Sequence, residues 1–267
     1  MKKSLNVGVV FLFAVLFVLP IALTLFHSFG IQETALEEPQ ITSVIPERFG
    51  IDGYYDLFID NHSILHGFWN SVLYAGVITC CNIIVSVPAA YAFLHARFKG
   101  RDLLFFLYIV LMMMPLQVTL LPNYIGLRDM KLLNTEYAII LPAIFTPFSA
   151  FLMTQYMRGL EEASIEAGML ETSSVIRMLT RIVLPQLRTC VLAVFVFVFA
   201  EYWNMVEQPN IYLRLETLKP MSVLLTTSGD MTLSAVLAGS VVLMIPIVIL
   251  YLYFHDSLEV GLESMKL

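Results

Sequence analysis

Glu201, Tyr202, Trp203 and Asn204 set a carboxylate, two aromatic faces and an amide side by side at the end of a long apolar run. An ionisable side chain in such a run is costly, which marks it as a candidate for function. Aromatic faces beside amides suit a ligand that presents apolar CH faces and hydroxyls. The same Tyr-Trp pair equally fits the aromatic belt at a membrane–water boundary. Gln117 and Thr119, just after Pro115, and Asn82 are polar candidates of the same kind, with hydrogen bonding between helices as the alternative. Other chemistries lack their residues: there is no G-x-x-x-x-G-K-[ST] loop to cradle phosphates, and no pair of histidines has metal-ligand spacing. Cys80, Cys81 and Cys190 fall in apolar runs as buried small hydrophobes, and Met112, Met113 and Met114 read as packing. The chain is expected to bind no cofactor or metal and to be no enzyme.

A second constellation is the glutamate-bearing stretch "GLEEASIEAGMLETSSVIRMLT", residues 159 to 180, followed by "RIVLPQL". Ile165, Met169, Thr172, Ile176, Leu179 and Val183 recur at helical spacing as a mostly apolar stripe, with Glu161, Glu162, Glu171 and Arg177 largely off it. Thr172, Ser173 and Ser174 interrupt it with N-cap chemistry. The pattern predicts one helix ending near Glu171 and another beginning near Val175. Such a helix either lies on lipid headgroups or docks in a partner's groove, and periodicity does not choose.

The elements that must position these groups are membrane spans. The chain is 58% hydrophobic and only 13% charged, with a mean hydropathy of +0.80, which excludes an ordinary soluble domain. About 20 apolar residues cross the hydrocarbon core. The candidate spans are 6 to 27, 67 to 94, 103 to 124, 137 to 157, 182 to 205 and 233 to 254 in a single membrane domain, residues 1 to 267. The fold expected is all-α and polytopic, with six transmembrane helices. Lys2, Lys3, Arg97, Lys99, Arg101, Arg158, Arg177, Arg181 and Arg188 fall on one side, which the positive-inside rule makes cytoplasmic. Both termini then share that side, and Glu33, Glu37, Glu38, Glu47, Asp52, Asp56 and Asp60 lie outside. Pro20, Pro88, Pro115, Pro122, Pro142, Pro147 and Pro246 interrupt spans as kinks or hinges.

"SIEAGMLETSSVIRMLTRIVLPQLRT" resembles the EAA loop of the membrane subunits of bacterial ABC importers, whose pattern is E-A-A-x-x-x-G, nine residues, then I-x-L-P. Anchoring on Leu184 and Pro185, with Ile182 as the isoleucine, places Glu166 and Ala167 at the motif's start. Gly168 then stands at the second alanine, Glu171 at the usual acidic position and Thr172 at the glycine. "EASIEAG", Glu162 to Gly168, also fits the opening but leaves the Leu-Pro pair four residues too late. The motif's glycine would best supply positive φ, so Thr172 in its place is a departure that bears on the geometry of the turn. "NSVLYAGVIT", "AAYAFLHARFKGR", "LPNYIGLRDMKLLNT", "EYWN", "TLKP" and "AVLAGSVVLMIP" follow the order of maltose-type sugar permeases, from residue 67 onward.

That resemblance implies a permease subunit in the bacterial cytoplasmic (inner) membrane. Its implied partners are two ATPase subunits carrying ATP and Mg, a second and non-identical permease, an extracytoplasmic solute-binding protein and the lipid bilayer, with no nucleic acid. Residues 160 to 181 would be the cytoplasmic coupling helix. Glu166 would accept hydrogen bonds from the ATPase, and Ile165, Met169 and Ile176 would give apolar contact. Gln117, Glu201, Tyr202, Trp203 and Asn204 are the candidate path. An ion-gradient-driven secondary transporter and a non-transporting scaffold are the alternatives; the first would normally show repeated halves, and none is evident.

Overall fold

The computed structural model describes residues 2–31, 45, 46, 48–160, 165, 168, 170, 172, 174–227 and 231–263. In hydrocarbon every backbone polar group must be satisfied within its own segment, and helices do this best. The fold is accordingly all-α. Among the described residues the one strand-like pairing is an isolated antiparallel bridge between Gly30 and Phe49.

The helices are α1 (Lys2–His27), α2 (Asp52–Tyr55), α3 (His62–His95), α4 (Arg101–Met112), α5 (Leu116–Asp129), α6 (Tyr137–Ile144) and α7 (Pro147–Arg158). There follow α8 (Val175–Met178), α9 (Arg188–Trp203), α10 (Glu207–Tyr212), α11 (Met221–Thr227) and α12 (Leu233–Glu263). Among the described residues four segments are long and apolar enough to cross a membrane: 8–27, 62–95, 137–158 and 233–256. Two bent pairs, 101–112 with 116–129 and 175–186 with 188–203, bring the number to as many as six if each pair is one span.

Two of the spans expected from hydropathy are sharply bent. Residues 103 to 124 break at Met113–Pro115, where the axis turns by 103°. Pro115 has no amide to donate, and its extended ψ of 144° carries the chain out of the helix before α5 begins. Residues 182 to 205 turn by 82° at Leu187. Ahead of this corner, Leu179–Val183 forms a π-helical turn in which the Leu184 amide donates to the Leu179 carbonyl. Widening the helix there makes room ahead of Pro185, whose ring would press on the carbonyl four residues earlier.

α3 is the central post: 34 residues, about 51 Å. Its small and polar residues Gly67, Ser71, Thr79, Asn82 and Ser86 face inward, where they let α6, α7, α9 and α11 approach closely. At Gly67 an added Cβ would lie 3.1 Å from the Met221 backbone and press on Leu224. Three residues near the start of α3 clamp the connection ahead of α11. The Asn70 amide donates to the carbonyls of Thr217 (2.8 Å) and Lys219 (3.1 Å), and the Tyr74 hydroxyl to that of Leu218 (2.8 Å). Ser71 Oγ accepts the Met221 amide at 3.0 Å. Asn134 holds the same connection from the other side, its side-chain oxygen accepting the Arg214 and Leu215 amides at 2.9 and 3.0 Å. Asn134 sits at φ 62°, a region asparagine tolerates better than most residues.

At the other end of α3 lie the basic residues of 97 to 101. Arg158, closing α7, stacks over Phe105 at 5.3 Å from the ring centre. Trp203 touches Phe68 near the start of α3, so the opposite end of α9, with Arg188, points toward this same basic end.

Candidate functional site

Two helix breaks face the end of α9. The Met113–Pro115 and Phe145–Thr146 breaks, with α9 and α10, enclose a cavity of about 550 Å³. Its polar lining comes from Thr119 and Asn123 on α5, Thr146 at the second break, Glu201 and Tyr202 on α9, and Gln208 and Tyr212 on α10. Leu111, Ile139, Phe145 and Phe148 supply apolar walls. Prolines place both breaks: Pro115 precedes α5, and Pro147 occupies the first turn of α7, where its missing amide costs nothing.

The path residues expected from the sequence divide here. Glu201 is exposed and lines the cavity, and Tyr202 lines it while sharing a 2.7 Å hydrogen bond with the Thr146 hydroxyl. Trp203 turns away and is fully buried, its indole N–H donating to the Leu243 carbonyl at 2.9 Å. Asn204 folds its amide back onto the Ala200 carbonyl at 3.0 Å, outside the lining. Gln117 also stands outside it and donates to the two Glu207 carboxylate oxygens at 3.2 and 3.3 Å. Burial pushes the Tyr212 phenol up from its ordinary range, against an opposing hydrogen bond with Asn123. Asn82 is structural, donating to the Ile144 carbonyl at 2.9 Å where α6 ends.

Of the second constellation, Glu166, Ala167, Met169 and Glu171 lie outside the described residues. Ile165 is 2% exposed and belongs to the main core, so it packs inward instead of offering itself to a partner. Among the described residues of this segment, Leu170, Val175 and Ile176 are the apolar residues left uncovered, at 90%, 60% and 74% exposure. The second helix does begin at Val175. Its Ser174 makes no side-chain cap; instead Thr172 Oγ1 accepts the Ser174 amide at 3.2 Å. The Thr172 amide donates to the Gly168 carbonyl at 3.1 Å, ending the preceding turn. Positive φ among the described non-glycine residues occurs at Lys131 and Asn134, so Thr172 turns the chain without the left-handed conformation that glycine would favour.

No family model matches the chain. It is 29% identical over 263 residues to the arabinooligosaccharides transport system permease protein AraQ of Halalkalibacterium halodurans, covering 97% of this chain and 93% of that protein. With AraQ of Bacillus subtilis the identity is 25% over 253 residues, 93% and 90% of the two chains. With the sn-glycerol-3-phosphate transport system permease protein UgpE of Salmonella typhi it is 28% over 210 residues, 74% of each. The chain is a homologue of sugar ABC importer permeases. Its fold matches a chain in the crystal structure of a bacterial ABC transporter involved in the import of the acidic polysaccharide alginate, with TM-score 0.82 and 18% identity over 96% of this chain and 95% of the other.

In this permease homologue the departure from the EAA pattern at Gly168 has a packing reason. Gly168 is buried, and a Cβ there would press on Ile182 and approach the Met178 sulfur to 3.0 Å. The glycine lets the segment before the turn rest directly on the π-helical turn after it. Gly168→Val is therefore expected to cost about 1–3 kcal/mol through overpacking, read as a lower thermal midpoint of the purified permease in detergent. A midpoint equal to the unmodified protein's would show that the two segments do not meet this closely.

Proposed function

We propose that this chain is the membrane-spanning permease subunit of a binding-protein-dependent ABC importer that moves a sugar or related solute inward. The observation that carries the reading is a similarity to transport-system permease proteins over 97% of the chain. The cavity where two broken helices meet the end of α9 gives the solute a passage, and the exposed Leu170 and Ile176 give a partner a handhold. Helix breaks at such depth are tolerated where they line a cavity.

In this reading residues 1 to 267 form one permease domain in the inner membrane of a bacterium, with both termini and the basic end in the cytoplasm. Residues 160 to 181 seat in a groove of one of two ATPase subunits. Closure of the ATPase pair around ATP and Mg draws the coupling segments together and rocks the spans between inward-open and outward-open states. A second, non-identical permease completes the passage, and an extracytoplasmic binding protein delivers the solute. The relatives' names cover a neutral oligosaccharide and a phosphate ester, so similarity alone leaves the solute's charge class open.

Gentle extraction of the tagged chain from its native membrane, with mass spectrometry of everything that accompanies it, tests the assembly. A P-loop ATPase and a second permease in the same complex are the expected result. A chain that emerges alone, even after crosslinking from the 160 to 181 segment, would overturn the reading in favour of a secondary transporter.

A further inference from the structure

Resting on the importer reading, we propose that Glu201 fits the cavity to neutral, hydroxyl-rich solutes and excludes anionic ones such as uronates and phosphate esters. The argument is one of charge balance. Among the described residues that line the cavity there is no Arg, Lys or His, and Glu201 is the one carboxylate. Thr119, Asn123, Thr146 and Gln208 add hydroxyls and amides, which exchange hydrogen bonds with sugar hydroxyls without asking for charge. Tyr202, Tyr212, Phe145 and Phe148 add flat apolar faces.

Two helix starts also face this space. Leu116 opens α5, and Thr146 with Pro147 opens α7, and all three are lining residues. Each helix start carries the equivalent of about half a positive charge and attracts anions. The C-terminal ends of α4, α6 and α9 line it too, through Leu111 and Met112, Ala143, and Glu201 and Tyr202, and their partial negative charges offset the two helix starts. The Glu201 carboxylate is therefore the formal charge that sets the field of the lining. A neutral solute enters without charge cost, and an anion meets a like charge in a confined space where screening is weak. Anionic solutes, by contrast, call for arginine or lysine in the lining, and the described lining provides neither.

The test reads the field of the cavity directly. Single thiols are placed at Thr119→Cys and, as a second position, Asn123→Cys in the full chain in membrane vesicles, with Cys80, Cys81 and Cys190 replaced by alanine. Each is reacted with a trimethylammonium and with a sulfonate methanethiosulfonate reagent of similar size, with Glu201 present and with the near-isosteric Glu201→Gln. The expected result is a rise of about tenfold or more in the sulfonate-to-ammonium rate ratio on going to Glu201→Gln, at both positions. An unchanged ratio, or a shift the other way, overturns the proposal. So does the failure of both thiols to react with either reagent, since the cavity would then be closed to dissolved solutes. Labelling needs neither ATPase nor binding protein, so a negative result here counts against the charge assignment alone. Absent partners in the extraction experiment would count against the importer reading alone.

Discussion

Trp203→Ala is expected to destabilise the protein by about 3–5 kcal/mol, the largest effect of any single truncation around the cavity. Trp203 is fully buried. Its ring stacks on Phe199 at 5.5 Å and 16° and meets Phe68 edge-on at 5.7 Å. The indole N–H also satisfies the Leu243 carbonyl, the next one along from that of Val242, which Pro246 leaves without its helical amide. One side chain thus pins α9, α3 and α12 together at the level of the cavity. Truncation opens a void and removes the tie to α12; Trp203→Phe keeps most of the packing and is expected to cost about 0.5–1.5 kcal/mol from the lost hydrogen bond. Asn204→Ala, which removes only an exposed bond to its own helix, should change stability by no more than about 0.5 kcal/mol. Thermal unfolding of the three purified variants in detergent gives the ranking. Equal midpoints for Trp203→Ala and Asn204→Ala would remove Trp203 from its structural role.

That contrast shows what composition could and could not convey about "EYWN". Type and neighbourhood identified a polar and aromatic cluster at the end of a span. Which side chain lines the cavity and which serves packing depends on the rotation of α9 and on where α12 passes, and local sequence encodes neither. Trp69, 62% exposed on α3, has the open setting expected of a belt residue; Trp203 does not. Thr146 and Gln208 each look ordinary alone in the sequence, and they become lining residues only where Pro147 and the end of α9 break the chain. Asn123 follows Pro122 inside a stretch that hydropathy reads as one span, and the 103° turn at Pro115 is what carries it to the cavity. Prolines were legible as interruptions. The angle of each bend was not, because it depends on what the freed ends pack against.

The clamps illustrate the converse. "NSVLYAGVIT", "LPNYIGLRDMKLLNT" and "TLKP" were separate stretches in the sequence, noticed for their order. In the fold Asn70, Tyr74 and Asn134 hydrogen-bond to the backbone of residues 214 to 219. Their polar residues hold a connection in place at the end of the bundle opposite the basic residues. The side chains of residues 160 to 181 divide less simply. Spacing put Ile165 and Ile176 on one stripe, but the turn at Thr172 breaks the helix between them and sends one inward and the other out.

Ile176→Asp is expected to leave thermal stability within about 0.5 kcal/mol while lowering recovery of the ATPase, and uptake by the assembled importer, by at least about tenfold. Ile176 stands 74% exposed beside Arg177 on α8, with Leu170 and Val175 also exposed, in a segment that buries Ile165, Met178 and Val183. An exposed isoleucine contributes little to its own fold, so a charge there is tolerated until a partner must cover it. A buried unpaired carboxylate at a docking surface is then strongly penalised, in the range of interface hot spots. Ile165→Ala supplies the control: it empties a core position and should cost about 2–5 kcal/mol of stability, with any loss of ATPase following the loss of fold. Were the segment only resting on lipid headgroups, Ile176→Asp would weaken that contact yet leave ATPase recovery at the unmodified level. Recovery measured at equal permease content therefore separates docking from membrane association, and the two isoleucines separate docking from packing.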